Sequence, residues 1–274
     1  MRKLLFTDLD GTLLDHHDYD FSAALPAISE LNAQGIPWIM TTSKTAAEVI
    51  ELKQEIDNPY AFIVENGAGI FWPPGQLKPE CLPSHTKVEQ SEQGYDYISM
   101  NEMELSDAIE LFRNYREQLN IDCIGFSEMS AQQVAESTGL PLHKAEQAKQ
   151  RYFSEPLLWQ DSQTKLYQLQ EMLAEFHWQL IKGGRFVHLM GPSNKGQALQ
   201  YMSNYYFQDW QDAIETMALG DGNNDIALLE ASDCPVIIRS PVNAPPKVNH
   251  AKVVLSDDFG PKGWNQAVMN WLTD

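Results

Sequence analysis

Short apolar runs alternate with amphipathic segments over the first 65 residues of the sequence. The runs at residues 3–7, 36–41 and 61–64 lack the polar alternation of a half-exposed strand, which is typical of strands buried on both faces of a parallel sheet. Between them, residues 22–35 and 46–56 carry apolar side chains at helical spacing. This order predicts an α/β fold with a Rossmann-like parallel sheet.

The alternation stops near residue 83 and resumes near residue 189, which divides the sequence into two predicted domains. Residues 1–82 and 189–274 form the predicted core, and residues 83–188 form an inserted α+β domain. In the insertion we predict helices at 105–119, 131–137 and 144–151 and strand-like segments at 157–159, 178–181 and 186–189. The core then resumes with predicted helices at 194–207, 226–231 and 261–272 and strands at 214–219, 235–238 and 253–255.

The chain carries a net charge of -19, from 38 acidic and 19 basic residues. Such a surface repels nucleic acid and anionic membranes, so neither is an expected partner. It also repels phosphorylated ligands, so a phosphate site on this chain would need local positive charge from a metal ion, lysines or arginines. No apolar stretch approaches the length of a membrane span.

The three cysteines, Cys81, Cys123 and Cys234, are far apart and form no Cys-x-x-Cys pair. This spacing argues against a zinc site, and a sparse, odd number fits a reducing compartment. The N-terminal apolar run reaches Asp8 too early for a signal peptide. We therefore expect a cytoplasmic protein.

Two carboxylates follow the first predicted strand, in the motif Asp-Leu-Asp-Gly-Thr at residues 8–12. Ligands of an open parallel sheet bind outside the carboxyl ends of its strands. A spacing of two directs Asp8 and Asp10 to the same side if the strand geometry persists. An acidic strand end that only begins a loop is compatible with the same residues.

A second acidic cluster follows the predicted strand at 214–219, in the segment Gly-Asp-Gly-Asn-Asn-Asp at residues 220–225. It brings Asp221 and Asp225 to the same edge of the sheet as the first cluster. Two acidic strand ends in one sheet form an oxygen-rich pocket suited to Mg2+. The alternative is a structural turn rich in Asp, Asn and Gly.

Two further segments offer groups for an anion. Thr42, Ser43 and Lys44 end the second predicted strand, where hydroxyls and backbone N–H groups can bind phosphate at the start of a helix. Threonine and serine are also ordinary helix caps. Lys195 begins a helix after the insertion, where a lysine is poorly placed for the helix dipole, so we expect it to face an anion rather than solvent.

These four motifs, in this order and each at the end of an element, resemble those of the haloacid dehalogenase-like phosphatases. Residues 8–12 match the first motif of that family, Thr42 the second, Lys195 the third and residues 220–225 the fourth. The resemblance covers the predicted core. The large insertion resembles the α+β cap domain, which provides substrate specificity in some members.

A second similarity, to the family of mannosyl-3-phosphoglycerate phosphatases, reaches into the cap. The matching segments are Thr-Ser-Lys at 42–44, Glu-Asn-Gly-Ala at 65–68, Arg-Tyr-Phe-Ser-Glu-Pro at 151–156, Gly-Gly-Arg-Phe-x-His at 183–188 and Gly-Pro-Ser-Asn-Lys-Gly at 191–196. It implies a phosphoric monoester hydrolase whose substrate is a sugar-linked phosphate ester, mannosyl-3-phosphoglycerate or glucosyl-3-phosphoglycerate. No motif in the sequence recognises mannose directly.

The resemblance implies a role for each core carboxylate. Asp8 would be the nucleophile that forms an aspartyl-phosphate, and Asp10, protonated at the start, would act as general acid and then as general base. Asp8, the backbone carbonyl of Asp10 and the carboxylate of Asp221 would hold Mg2+. Asn224 and Asp225 would support the site, Asp225 by orienting the lysine of the third motif or the water ligands of the metal.

The remaining candidates bind the substrate. Thr42, Ser43, Lys44 and Lys195 would hold the phosphate oxygens, and the cap would bind the leaving group. The candidates in the cap are Arg151, Ser154, Glu155 and Arg185. Arg185 would bind a carboxylate, next to Gly183 and Gly184, which would let a ligand approach the backbone. Glu155 would accept hydrogen bonds from sugar hydroxyls. A surface turn with a structural ion pair is the alternative for these cap residues.

Three other functions are compatible with these motifs. A phosphomannomutase or a phosphatase of the sucrose-phosphate type would use the same chemistry on a different substrate. A sugar-phosphate sensor without activity would keep the fold, but it has no need of a nucleophile at Asp8. The expected partner is a small-molecule phosphate ester, and the sequence leaves the oligomeric state open.

Overall fold

The structure is a computed structural model that describes residues 1–183 and 185–273, so Gly184 lies outside the described residues. The chain divides into two compact units. The first unit comprises Met1–Ser43, Asp57–Ile98 and Asn194–Asp274, and the second comprises Lys44–Ile56 and Ser99–Ser193. Compared with the predicted boundaries, the second unit also includes Lys44–Ile56 and begins later along the insertion, at Ser99.

The described residues contain thirteen strands and nine α-helices. The strands are β1 (Arg2–Thr7), β2 (Trp38–Thr41), β3 (Phe62–Val64), β4 (Gly69–Trp72), β5 (Glu89–Gln90), β6 (Asp96–Ser99), β7 (Cys123–Gly125), β8 (Ser154–Trp159), β9 (Gln179–Gly183), β10 (Phe186–Met190), β11 (Ile214–Gly220), β12 (Cys234–Arg239) and β13 (Val254–Phe259). The helices are α1 (Leu25–Ala33), α2 (Ala46–Ile56), α3 (Leu105–Gln118), α4 (Ala131–Thr138), α5 (Leu142–Ala148), α6 (Gln163–Ala174), α7 (Lys195–Trp210), α8 (Ile226–Glu230) and α9 (Gly260–Thr273).

In the first unit, the described strands form a sheet in the order β13-β12-β11-β1-β2-β3-β4-β6-β5. The strands from β13 to β3 are parallel, which confirms the predicted α/β fold. The antiparallel edge was not predicted: β4 runs antiparallel to β3, and β5 to β6. The apolar segment of β4 leads directly into a Pro-Pro-Gly loop, and its sequence pattern predicts no strand.

The central position of β1 determines where the acidic motifs leave the sheet. Its residues Leu4 to Phe6 are completely buried, as expected for a strand covered on both faces. Thr7 lies opposite Leu219 of β11 and opposite Met40 of β2. The residues that follow these three strands therefore emerge side by side at one edge of the sheet.

Helix α9 contacts the end of β1 through a hydrogen bond. The indole of Trp264, completely buried, donates a hydrogen bond of 2.9 Å from Nε1 to Oγ1 of Thr7. The Thr7 hydroxyl in turn donates to the carbonyl oxygen of Asp8 at 2.7 Å. The closing helix therefore fixes the backbone at the first acidic motif.

The second unit contains an antiparallel sheet in the order β7-β8-β10-β9. Helices α3 and α6 pack on it through a core that includes Phe112, Leu157, Leu169 and Leu189. A smaller cluster, with Val134 of α4 and Ala145 of α5, forms the rest of the interior. This is the α+β content that the sequence predicts, although α6 and β7 were not predicted. None of the helices in residues 1–183 and 185–273 has the length and hydrophobicity of a membrane span.

Candidate active site

Three buried carboxylates meet at the carboxyl ends of β1 and β11. Asp8 follows β1, Asp221 follows β11, and Asp225 directly precedes α8. An oxygen of each lies within 4.8 Å of an oxygen of the others, in the part of the chain that the structure describes. The two acidic motifs, which are far apart in the sequence, thus form one cluster as their places at the ends of neighbouring strands predict.

Lys195, the first residue of α7, lies completely buried inside this cluster. Its Nζ donates to Oδ1 of Asp8 and to Oδ1 of Asp225, each at 2.6 Å. The helix begins with a capping box, in which Asn194 and Gln197 accept hydrogen bonds from each other's backbone N–H groups. These hydrogen bonds satisfy the backbone N–H groups of Asn194 and Gln197 at the start of α7. The lysine side chain faces the two carboxylates.

The cluster contains three carboxyl groups and a single ammonium group. Burial raises the pKa of Asp8, the nearby charge of Asp225 adds to that rise, and Lys195 opposes it. Burial and the charge of Asp225 also raise the pKa of Asp221. Burial lowers the pKa of Lys195, but Asp225 and Asp8 outweigh this and raise it overall, so the lysine remains charged. One ammonium group therefore faces three carboxylates.

Both carboxylate oxygens of Asp225 accept hydrogen bonds from other groups of the protein. Oδ1 binds Lys195, and Oδ2 accepts the N–H groups of Asp221 at 3.1 Å and Gly222 at 3.0 Å. A Cβ on Gly220 would lie 2.4 Å from Cβ of Asp225, so only glycine lets this carboxylate approach the strand end. Asp225 is thus suited to orient Lys195 and the 221–222 backbone rather than to bind a metal.

The remaining oxygens fit a divalent cation such as Mg2+. Asp8 and Asp221 offer hard carboxylate oxygens. The raised pKa values of both groups mean that their ionised forms lack enough nearby positive charge, which an additional cation would supply. Gly11, at φ +79°, brings the first acidic loop against Asp221, where a Cβ would lie 2.8 Å from Oδ2. Asp10, half-buried, lies in that same loop.

Asp221 has a further neighbour that the sequence analysis missed. Nδ2 of Asn243 approaches Oδ2 of Asp221 at 3.5 Å. Asn243 lies in the loop after β12, 22 residues from Asp221. Asn243 belongs to no spacing pattern in the sequence. The signal that could have identified it is its position after a neighbouring strand of the sheet.

The predicted phosphate-binding residues divide between the two units. Thr42, completely buried after β2, and the half-buried Ser43 belong to the first unit with Lys195, whereas Lys44 belongs to the second. The N–H of Thr42 donates to the carbonyl of Ile63 at 3.0 Å. Thr42 thus follows a strand of the sheet, and Lys195 begins a helix of the same unit.

The predicted cap residues have unequal surroundings. Glu155 is buried, and its Oε1 accepts the N–H of Ser127 at 2.8 Å. Burial raises the pKa of Glu155. Nε of Arg151 donates to Oγ of Ser154 at 3.1 Å. Glu155 therefore already has a role within the second unit.

Arg185, by contrast, is exposed, and its guanidinium donates to the carbonyl oxygen of Thr138 at the end of α4. A cation there interacts favourably with the helix dipole. His188 of β10 is half-buried; burial, with the nearby charge of Arg151, lowers its pKa to about 4. This imidazole is therefore neutral near pH 7.

Comparison with known proteins assigns the family. The haloacid dehalogenase-like hydrolases match the chain over residues 5–257. The chain belongs to this family. The predicted family and the predicted enzyme class, a phosphoric monoester hydrolase, are thereby confirmed.

Two relatives match nearly the whole chain, and both are named glucosyl-3-phosphoglycerate/mannosyl-3-phosphoglycerate phosphatase. The relative from Persephonella marina is 34% identical over 274 residues, covering 99% of this chain and 97% of its own. The relative from Methanococcoides burtonii is 32% identical over 275 residues, covering 99% of this chain and 98% of its own.

Solved structures with low sequence identity share the fold. A phosphatase of the haloalkanoate superfamily from Bacteroides thetaiotaomicron has a TM-score of 0.70 at 16% identity, covering 100% of this chain and 96% of its own. The sucrose-phosphatase from Synechocystis has a TM-score of 0.57 at 22% identity, covering 99% of this chain and 98% of its own.

Proposed function

We propose that this enzyme is a magnesium-dependent phosphatase that hydrolyses glucosyl-3-phosphoglycerate or mannosyl-3-phosphoglycerate through an aspartyl-phosphate on Asp8. The observation that carries the proposal is the buried arrangement of Asp8, Asp221 and Asp225 around Lys195 at the sheet edge. The names of the two relatives support the choice of substrate.

Asp8 is the proposed nucleophile because its carboxylate lies at the strand end, held by Lys195. An Asp8 oxygen bonds to phosphorus as the bond from phosphorus to the glycerate oxygen breaks, and Asp10 gives its proton to that oxygen. Asp10 then takes a proton from water, whose oxygen attacks phosphorus. This second step releases inorganic phosphate and restores Asp8.

Lys195, Thr42 and the N–H of Ser43 bind the phosphate oxygens that do not react. Because phosphoryl transfer depends mainly on positioning and charge, these fixed donors supply much of the catalysis. Asp8, the backbone carbonyl of Asp10 and the carboxylate of Asp221 would hold Mg2+, which when bound reduces the repulsion between a carboxylate nucleophile and an anionic phosphate.

We assign recognition of the leaving group to the second unit. Arg185 is the first candidate for binding the glycerate carboxylate, because its side chain is exposed. A guanidinium carries five N–H donors, and the Thr138 carbonyl accepts a hydrogen bond from one of its three nitrogens. Arg151 and Ser154 are further candidates. Glu155, with one oxygen bound to Ser127, is less suited to accept sugar hydroxyls.

Phosphate release from a panel of esters tests this proposal. The panel contains both glycosyl phosphoglycerates, a hexose phosphate, sucrose phosphate and an aryl phosphate, each with Mg2+ or with EDTA. We expect the highest kcat/KM on a glycosyl phosphoglycerate, no turnover in EDTA, and recovery when Mg2+ is restored. Full activity in EDTA would contradict the metal site, preference for another ester would contradict the substrate, and dependence on a sugar bisphosphate would indicate a mutase.

A further inference from the structure

The turn that follows β3, Glu65–Gly67, has an uncommon backbone conformation. Its three residues have successive φ values of +49°, +60° and +98°. Asparagine and glycine adopt this left-handed region more readily than other residues, but glutamate rarely does, and such strain persists only where the surroundings enforce it. Glu65 is also completely buried. The segment is conspicuous in the sequence as Glu-Asn-Gly-Ala, yet the proposed reaction uses none of its side chains.

The turn contacts the segment that carries Thr42. The backbone N–H of Asn66 donates to the carbonyl oxygen of Thr42 at 2.9 Å, and the N–H of Thr42 donates to Ile63 at 3.0 Å. Both backbone polar groups of Thr42 are thus bound to β3 and the turn after it. This pairing fixes the backbone from which the Thr42 hydroxyl extends.

The same turn lies directly against the start of α7. A Cβ on Gly67 would lie 2.3 Å from the carbonyl oxygen of Asn194 and 2.7 Å from the nitrogen of Lys195. Those contacts are with backbone atoms of the capped first turn of the helix, which cannot rotate away as a flexible side chain can. Only glycine at position 67 therefore lets α7 begin where it does.

A third contact reaches the second acidic motif. Nδ2 of Asn224 donates to Oδ1 of Asn66 at 3.4 Å. Asn224 immediately precedes Asp225, whose carboxylate binds Lys195 at 2.6 Å. One turn of three residues thus contacts three segments of the first unit that carry groups of the candidate site.

We infer that the Glu65–Gly67 turn is a positioning element that sets Thr42 and Lys195 at the spacing needed to bind one phosphate group. Asn66 and Gly67 are its positioning residues. The inference rests on the proposed function, since it assumes that Thr42 and Lys195 bind phosphate. It explains why strained backbone is retained at a place with no chemical role of its own.

Gly67→Ala tests the inference, with Gly75→Ala as the matched control. Gly75 also has a positive φ, +73°, but no atom lies within 4 Å of the position of its Cβ. Both variants place alanine in the left-handed region, and only Gly67→Ala displaces α7. The readouts are hydrolysis of an aryl phosphate with Mg2+, inhibition by inorganic phosphate, and the thermal unfolding midpoint.

For Gly67→Ala we expect kcat/KM to fall about 100-fold, since a displacement of about 1 Å at reacting groups costs that much, with a parallel weakening of inhibition by phosphate. Gly75→Ala should keep both constants and lose only some thermal stability. Equal kinetic constants for the two folded variants would overturn the inference.

If Gly67→Ala does not fold, two variants of Asn66 test the inference instead. Asn66→Gly keeps the positive φ and the N–H that binds Thr42, whereas Asn66→Val strongly opposes that backbone conformation. We expect Asn66→Val to weaken inhibition by phosphate several-fold more than Asn66→Gly, which keeps the backbone contact with Thr42 and loses only the side-chain contact with Asn224. Wild-type constants in Asn66→Val, or equal losses in both variants, would overturn the inference. Wild-type protein that releases no phosphate from any ester would instead refute the proposed function.

Discussion

The polar groups of the first unit and those of the second differ in how firmly the protein holds them. In the first unit, Lys195 is completely buried between Asp8 and Asp225, and Asp225 has no oxygen left without a partner. In the second unit, Arg185 is exposed, and among the described residues its guanidinium binds the carbonyl oxygen at one helix end. Groups that stabilise a developing charge must be fixed before the reaction, whereas a group that selects a leaving group can gain its order from the ligand.

Replacement of Asp8, the proposed nucleophile, should have the largest effect. Asp8→Asn should lower kcat by more than about 10,000-fold, because an amide oxygen does not attack phosphorus and loss of a nucleophile removes the covalent route. Phosphate release and incorporation of beryllium fluoride at Asp8 measure this. Asp257→Asn, an exposed acid of β13, is the matched control and should match the wild type. Retention of a few per cent of kcat in Asp8→Asn would remove Asp8 as the nucleophile.

Asp10→Asn should distinguish substrates by their leaving groups. A sugar-linked glycerate oxygen needs a proton to leave, and an activated aryl oxygen does not, so we expect a loss of about 100- to 10,000-fold on the first ester and a much smaller loss on the second. The ratio of the two kcat values is the measurement. Equal losses on both esters would contradict the role of general acid.

Removal of the buried ammonium group of Lys195 should destabilise the first unit. Lys195→Met conserves volume but leaves two buried carboxylates without a counterion, which should lower the free energy of unfolding by about 3–5 kcal/mol. Urea unfolding with Mg2+ absent measures this. Lys262→Met is the control, since that lysine pairs with Asp258 on the surface and should change stability little. A double variant with Asp225→Asn should recover part of the loss, and no recovery would contradict the pairing.

Arg185→Ala should have the smallest effect, confined to one substrate class. Loss of a charge-assisted contact with a carboxylate should cost about 1.5–3 kcal/mol, or about 10- to 150-fold in kcat/KM for a glycosyl phosphoglycerate. Hydrolysis of a small aryl phosphate should change little. The control is Arg113→Ala, an arginine of the second unit that donates to Oγ of Ser127 at 3.3 Å. Parallel losses on both esters would make Arg185 structural through its contact with Thr138.

Much of the fold follows from patterns that the sequence displays directly. Helix α2 has the predicted bounds, and β1 and α3 begin or end within one residue of them, because apolar periodicity and stop signals coincide there. Helix α6 was missed although Leu166, Leu169 and Leu173 share its buried face and Ser162 caps it. Strand β4 was missed because nothing local indicates that a chain reverses after β3 and pairs antiparallel with it.

The candidate site was predictable where its groups directly follow strands or begin a helix. Asp8 and Asp221 could be expected to meet, since parallel strands bring their carboxyl ends to one edge. The Glu65–Gly67 turn could not be derived in this way, because a left-handed glutamate has no sequence signature and the role of Gly67 depends on a helix more than 120 residues later. The contact between Asn243 and Asp221 likewise depends on the course of a loop.

The pairing of β1 with β11 has a consequence for the order in which the chain can fold. β1 is completed at Thr7, but the strand beside it begins only at Ile214, and the ion pair between Asp8 and Lys195 spans 187 residues. During synthesis from the N-terminus, the whole second unit leaves the ribosome before the central strand obtains this neighbour. Since such distant pairings are slow to form, we expect the second unit to fold first and the candidate active site to be among the last parts of the protein to assemble.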